Sequence, residues 1–200
     1  MKAFKDYDTT RTIQDRPTLP AGGYVAVIRA AQERTYTSRD GGSFSKLEIA
    51  FDISEGEYKG FFAADFDSQT GEDKKWKGVL RQYIPSDDGS ERDAKTKMFF
   101  KTMIEAIEDS NPGYHWDWDE KKLKGKTVGV LFRNEEWDYQ GKQGWKAQPF
   151  KFIEAEKIRQ GKFTVPKDKP LAGSSSSVSS APSTAPASDF EEIDDEDLPF

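Results

Sequence analysis

The sequence predicts a mainly β domain: a five-stranded barrel with a helix between its third and fourth strands, followed by a disordered linker and an acidic peptide. Three observations predict it. Apolar and polar residues alternate over residues 22–66 and again over 127–158, as in strands with one buried and one wet face. Between these blocks lies one apolar face at helical spacing, over residues 97–107. From Leu171 to Ser188 the chain reads LAGSSSSVSSAPSTAPAS, with no charge and no aromatic residue. Such a segment cannot bury enough apolar surface to offset its ordering entropy. The expected division is an N-terminal extension over 1–18, the barrel domain over 19–170, the linker over 171–188 and the acidic tail over 189–200.

Strand one is expected over Gly22 to Thr37, after the turn-like Leu19-Pro20-Ala21-Gly22-Gly23, with Tyr24, Ala26 and Ile28 on one face. Arg39-Asp40-Gly41-Gly42 signals a hairpin. Strand two follows over Phe44 to Ser54, where Leu47, Ile49, Phe51 and Ile53 alternate with charged or small residues. Glu55-Gly56-Glu57 turns the chain into an aromatic strand three over Tyr58 to Phe66. Trp76 to Tyr83 reads as a short helix. Ser90 and Asp93 have capping-box spacing ahead of the main helix, whose apolar face is Phe100, Met103, Ile104 and Ile107 and which Asn111-Pro112-Gly113 stops. Strand four is expected over Thr127 to Trp137, a polar hairpin tip over Tyr139 to Gly144, and strand five over Trp145 to about Ile158. Pro149 argues for an edge position or a bulge in that last strand. Three strands, a helix and two strands is the order of the OB barrel, which binds oligonucleotides between its first and last hairpin loops.

Composition narrows the chemistry. A hydrophobic content of 34% with fourteen Phe and five Trp implies a small, aromatic-rich core. The absence of Cys excludes disulfides, thiolate metal sites and Cys nucleophiles. The single histidine, His115, has no partner His or Cys at ligand spacing, so Tyr114-His115-Trp116-Asp117-Trp118-Asp119 reads as a packed loop with no metal or cofactor. No phosphate loop, nucleophile elbow or zinc-protease motif occurs, so no enzyme is expected. Carboxylate pairs such as Asp87-Asp88 read as solvated surface. No signal-peptide pattern and no run of about 18 apolar residues is found, so a cytoplasmic protein that does not span membranes is expected.

The net charge of −6 hides a division. Asp189, Glu191, Glu192, Asp194, Asp195, Glu196 and Asp197 carry −7, which leaves +1 on residues 1–188. Within that body, Lys121 to Lys169 holds 13 Lys/Arg against 6 Asp/Glu. An acidic tail on a locally basic body points to an interaction tail. The run Asp194-Asp195-Glu196-Asp197-Leu198-Pro199-Phe200 resembles the terminal peptide of bacterial single-stranded DNA-binding proteins, with Leu198 where isoleucine is common. Phe200 offers a ring and an α-carboxylate at one point, suited to an apolar pocket with a basic lip. The acids steer such a partner, and Pro199 limits the entropy lost on binding. The resemblance implies that Asp194, Asp195, Asp197, Leu198, Pro199 and Phe200 recruit replication and recombination proteins: a helicase, primase, polymerase or nuclease. A generic solubility tail has no reason to end in Leu-Pro-Phe after a long uncharged linker.

The body carries a second resemblance. Leu19-Pro20-Ala21-Gly22-Gly23-Tyr24 and Phe51-Asp52-Ile53-Ser54-Glu55-Gly56-Glu57-Tyr58-Lys59-Gly60 resemble small phage and prophage OB-fold single-strand binders over roughly residues 15–155. Binding single strands without sequence choice needs rings for bases to stack on and cations along the backbone. The first hairpin interleaves Arg34, Tyr36, Arg39, Phe44 and Lys46; the last interleaves Arg133, Trp137, Tyr139, Lys142, Trp145 and Lys146. Phe62 represents the outer face of strand three, where one of Phe61, Phe62 and Phe66 is expected to meet DNA. Phe51, Phe99, Phe100 and Phe132 are expected in the core. The sequence thus reads as a DNA-coating protein of replication, recombination and repair. Two alternatives stay open: an OB-like adaptor whose tail alone works, kept alive by the modest +1 of the body, and a recombination accessory protein that anneals strands. No heptad seam or pairing strand sets an oligomeric state.

Overall fold

The computed structural model describes residues 18–38 and 41–171. The expectations for residues 1–17, for Arg39 and for the linker and acidic tail from residue 172 onward lie outside the described residues. The chain is mainly β. Strands β1 (Gly22–Thr37), β2 (Ser43–Ile53), β3 (Val79–Tyr83), β4 (Thr127–Tyr139) and β5 (Lys142–Ile153) form one antiparallel sheet in the order β3-β2-β1-β4-β5. Helices α1 (Phe61–Ser68), α2 (Glu91–Asp109) and α3 (Ala155–Arg159) accompany it. The sheet is not closed: β3 and β5 are its two edges. Among the described residues, no helix is long and apolar enough to cross a membrane.

The long strand β1 organises the sheet. Its register with β2 shifts between Ile28 and Ala30, and such a bulge bends a strand. Its first residues, Gly22 to Val27, pair with β4, and Ala26 to Thr37 pair with β2. Two hairpin arms therefore project past the shared middle. In the β4–β5 arm the turn is Gln140-Gly141, with φ of 53° and 75°, the two left-handed positions of the tight hairpin turn that fixes register. The expected Pro149 irregularity is present: β5 is an edge strand, and its register with β4 shifts between Leu131 and Phe132, opposite Lys151 and Pro149.

The composition implied an aromatic-rich core, but the buried apolar residues are mostly Ile, Leu, Val and Ala packed around a cluster of phenylalanines. Phe51 meets Phe62, Phe132 and Phe152 edge to face at centroid distances of 5.6, 6.1 and 5.9 Å. Burying each such ring contributes ~1.5–3 kcal/mol. The face of α2 predicted from spacing, Phe100, Met103, Ile104 and Ile107, is the buried one. Ser90 caps the helix by accepting from Asp93 N at 3.0 Å. The reciprocal half of the box is replaced: Asp88 accepts from Ser90 N at 2.8 Å, while Asp93 accepts from Asp87 N at 2.9 Å. Asn111 ends the helix and ties it to β4, donating to the Ile107 carbonyl and accepting from Thr127 N.

Three expected elements differ. The aromatic segment expected as strand three is helix α1. Ala63 and Ala64 favour a helix, and the buried Asp52 carboxylate accepts from Phe62 N at 3.0 Å in its first turn. Phe62 is thereby turned into the core, 6% exposed, and stacks on Phe132 at 6.2 Å. It is not a surface contact. The segment expected as a short helix is strand β3, which pairs from Val79 to Tyr83 with Ala50 to Lys46 of β2. Gly78 allows it: a Cβ there would lie 2.6 Å from the Phe51 carbonyl and the Phe62 ring. Finally, β5 ends at Ile153, and Ala155–Arg159 is helical. Phe99, expected in the core, is only half-buried.

Candidate nucleic-acid interface

The pairing of β1, β2 and β3 brings rings and cations from three strands onto one face. Tyr36 lies opposite Phe44, Arg34 opposite Lys46, Lys46 opposite Tyr83, and Glu48 opposite Arg81. The Leu47, Ile49 and Phe51 side chains go to the core instead, as strand alternation requires. Tyr36 stacks on Phe44 at 5.5 Å and 14°, and Phe44 meets Tyr83 at 5.5 Å and 45°. Lys46 Nζ lies 4.0 Å from the Tyr83 centroid and 5.6 Å from that of Phe44, a cation held over a row of rings.

Glu48 ties this platform together. Its carboxylate accepts from the Tyr36 hydroxyl at 2.6 Å and from Arg81 Nε at 2.8 Å, and it pairs with Arg34 Nε at 3.2 Å. Burial pushes the carboxyl up, but the bonds from Tyr36 and Arg81 and the charges of Arg81 and Arg34 outweigh it and hold it below its ordinary value. The Tyr36 hydroxyl is raised, chiefly by its bond to Glu48.

The open edges of the sheet border a cleft of ≈ 870 Å³ whose lining includes Glu33, Thr35, Ser45, Leu80 and Gln82, from the face of the sheet that carries Leu47, opposite to the platform. Lys46, Arg81 and Tyr83 line one side, Arg133, Phe150 and Lys151 the other, with Phe99 and Met103 of α2 between them. Arg133 is nearly buried, its guanidinium 4.5 Å above the Phe150 ring and its Nε donating to Glu135 at 3.1 Å. Lys169 also lines the cleft. There the chain returns alongside β4: Lys169 N donates to the Asn134 carbonyl at 2.8 Å and Glu136 N to the Lys169 carbonyl at 2.9 Å.

The β4–β5 arm has two unlike faces. One carries Arg133, Glu135, Trp137 and Tyr139 of β4 with Gln148, Lys146, Gly144 and Lys142 of β5. Trp137 lies across Gly144, where a Cβ would come within 3.0 Å of the indole. The other face pairs Trp145 with Glu136 and Gln143 with Asp138. Trp137, Tyr139 and Trp145 are exposed by 41%, 68% and 44%, but Trp145 points away from the other two.

Of the predicted contacts, Arg34, Tyr36, Phe44 and Lys46 thus share the platform and Arg133 stands across the cleft. Trp137, Tyr139, Lys142 and Lys146 share the cationic face of the arm, Trp145 takes its acidic face, and Phe62 belongs to the core. Arg39 and Asp194, Asp195, Asp197, Leu198, Pro199 and Phe200 lie outside the described residues. Sequence reasoning missed Glu48, Arg81, Tyr83 and Phe150. Arg81-Gln82-Tyr83 does carry a two-residue alternation, which the helical reading of that segment hid. In the loop after α2, Tyr114 and Trp116 pack against the core as expected. Trp118 does not: it is 77% exposed, at φ 65°, and lies parallel to Phe100 at 6.2 Å. No family model and no curated protein matches the chain.

Proposed function

We propose that this chain is a non-enzymatic protein that binds single-stranded DNA without sequence choice, on a barrel of the OB type left open between β3 and β5. The strand order, with the main helix entering between β3 and β4, supports the OB reading. The observation that carries the functional reading is the platform: three rings, Tyr36, Phe44 and Tyr83, in one row with Lys46, Arg34 and Arg81 beside them. Unpaired bases stack on such rings for ~1–3 kcal/mol each. The cations meet the phosphates, and each phosphate neutralised steepens the fall of log affinity with log salt by about 0.7 for a single strand. The strand lies along the platform, with the cationic face of the arm as a second contact.

The acidic peptide is the second part of the proposal. The described chain reaches Leu171 next to the arm, where its amide donates to Glu136 Oε2 at 3.0 Å. A flexible coil of 18 residues would span roughly 20–25 Å, and in the proposal the acids of residues 189–197 return on it to the platform cations. DNA then displaces the tail and frees Asp197, Leu198, Pro199 and Phe200 for a replication or recombination partner, in the cytoplasm.

The test is a titration of intrinsic Trp fluorescence with oligo-dT at several salt concentrations, with a duplex as control. Quenching, a negative salt slope and weak duplex binding are expected. No binding at low salt overturns the reading in favour of an adaptor that works through its tail.

A further inference from the structure

Glu48 stands where a DNA-binding face is least expected to carry a negative charge. Its side chain is almost buried, and groups from both neighbouring strands converge on it: Tyr36 and Arg34 from β1, and Arg81 from β3. Both arginines reach it through Nε, yet their side chains stay 57% and 54% exposed. Arg81, held by Nε, still has its two terminal nitrogens to offer a phosphate, while Arg34, whose Nε and Nη2 also lie 2.9 Å from the Gln32 side-chain oxygen, keeps Nη1 for one. The Tyr36 hydroxyl, anchored at the same carboxylate, keeps its ring within 14° of parallel to Phe44.

We propose that Glu48 is a positioning residue of the single-strand platform, fixing two guanidiniums and one ring in the geometry that receives a base and its phosphates. The inference rests on the single-strand reading and adds a sign to it. Charge alone predicts that removing Glu48 tightens DNA binding, since a negative group leaves the surface. Positioning predicts the reverse, because three side chains must then be ordered at the moment of binding.

The experiment is a set of oligo-dT titrations at fixed low salt with the full chain, each variant first checked for native melting. Glu48→Gln is expected to bind about tenfold more weakly, ~1.4 kcal/mol. In an Arg34→Ala, Arg81→Ala background the same substitution tightens binding slightly, because only the charge of Glu48 remains to act. Arg34→Lys with Arg81→Lys, which keeps every charge and leaves Glu48 in place, also weakens binding several-fold and decides the matter if Glu48→Gln does not fold. Equal or tighter binding by Glu48→Gln, wild-type binding by the double lysine variant, or the same tenfold loss in the double-alanine background overturns the proposal while the wild-type chain still binds. Failure of the wild-type chain to bind overturns the single-strand reading itself.

Discussion

Trp137 and Trp145 offer a pair of perturbations that differ in one respect. Both are nearly half exposed on the same arm, and the register sets them on opposite faces, Trp137 across from Gly144 and Trp145 across from Glu136. The first face carries Arg133, Lys142 and Lys146 against Glu135; the second carries Glu136 and Asp138. On the proposed reading, a polyanion follows the first. One side of the Trp137 indole rests on Gly144, which leaves the other for a single base. Losing one stacked base costs ~1–3 kcal/mol, so Trp137→Ala is expected to weaken binding about 5- to 150-fold. Trp145→Ala is expected to stay within about twofold, as a surface change with no ligand on it. Fluorescence anisotropy of labelled oligo-dT at fixed salt measures both without relying on the Trp signal. An equal or larger loss in Trp145→Ala refutes the assignment of faces, and no loss in either removes the arm from the DNA path.

Other expectations follow from the same contacts. Gly78→Ala forces a Cβ to within 2.6 Å of the Phe51 carbonyl and the Phe62 ring; overpacking of this kind costs ~1–3 kcal/mol, seen as a lower urea midpoint at unchanged slope. Asp52→Ala leaves the amides of Ile53 and Phe62 without their buried acceptor and is expected to cost ~1–3 kcal/mol on the same curve. Glu48 is held below its ordinary value of 4.5 in the folded chain. Its contribution is therefore fully present above that pH and lost as pH falls through the folded value; urea midpoints across the acid range should drop for wild type and drop less for Glu48→Gln. Deleting residues 189–200 removes a competing −7 and is expected to tighten oligo-dT binding at low salt, an effect that added salt erases; unchanged affinity refutes the competition.

Much of the platform was legible because alternation was. In Arg34-Thr35-Tyr36 and in Phe44-Ser45-Lys46 the ring-and-cation residues are two apart, so any strand through them puts them on one face, and the hairpin between makes those faces coincide. The partition of the arm was also within reach. A two-residue turn at Gln140-Gly141 fixes Trp137 opposite Gly144, whereas reading all of Tyr139 to Gly144 as a loose tip left the two indoles without a defined register. Glu48 was not legible, because nothing local distinguishes a carboxylate bonded by two neighbouring strands from a solvated one.

By itself the sequence determined β1, β2 and β4 from alternation, β5 as the hairpin partner of β4, and the buried face of α2 from helical spacing. Its fourteen Phe foretold the ring cluster of Phe51, Phe62, Phe132 and Phe152, though not that aliphatic residues make up most of the core around it. Tertiary structure alone decided the short and ambiguous segments. Phe61–Ser68 became a helix because the buried Asp52 carboxylate binds its first turn, and Val79–Tyr83 became a strand because the edge of β2 was open and Gly78 let the chain approach it. A five-residue segment has too little periodicity to outweigh the hydrogen bonds and buried area that a distant partner offers, so its form, and with it the place of Arg81 and Tyr83 on the platform, is set by the sheet it joins.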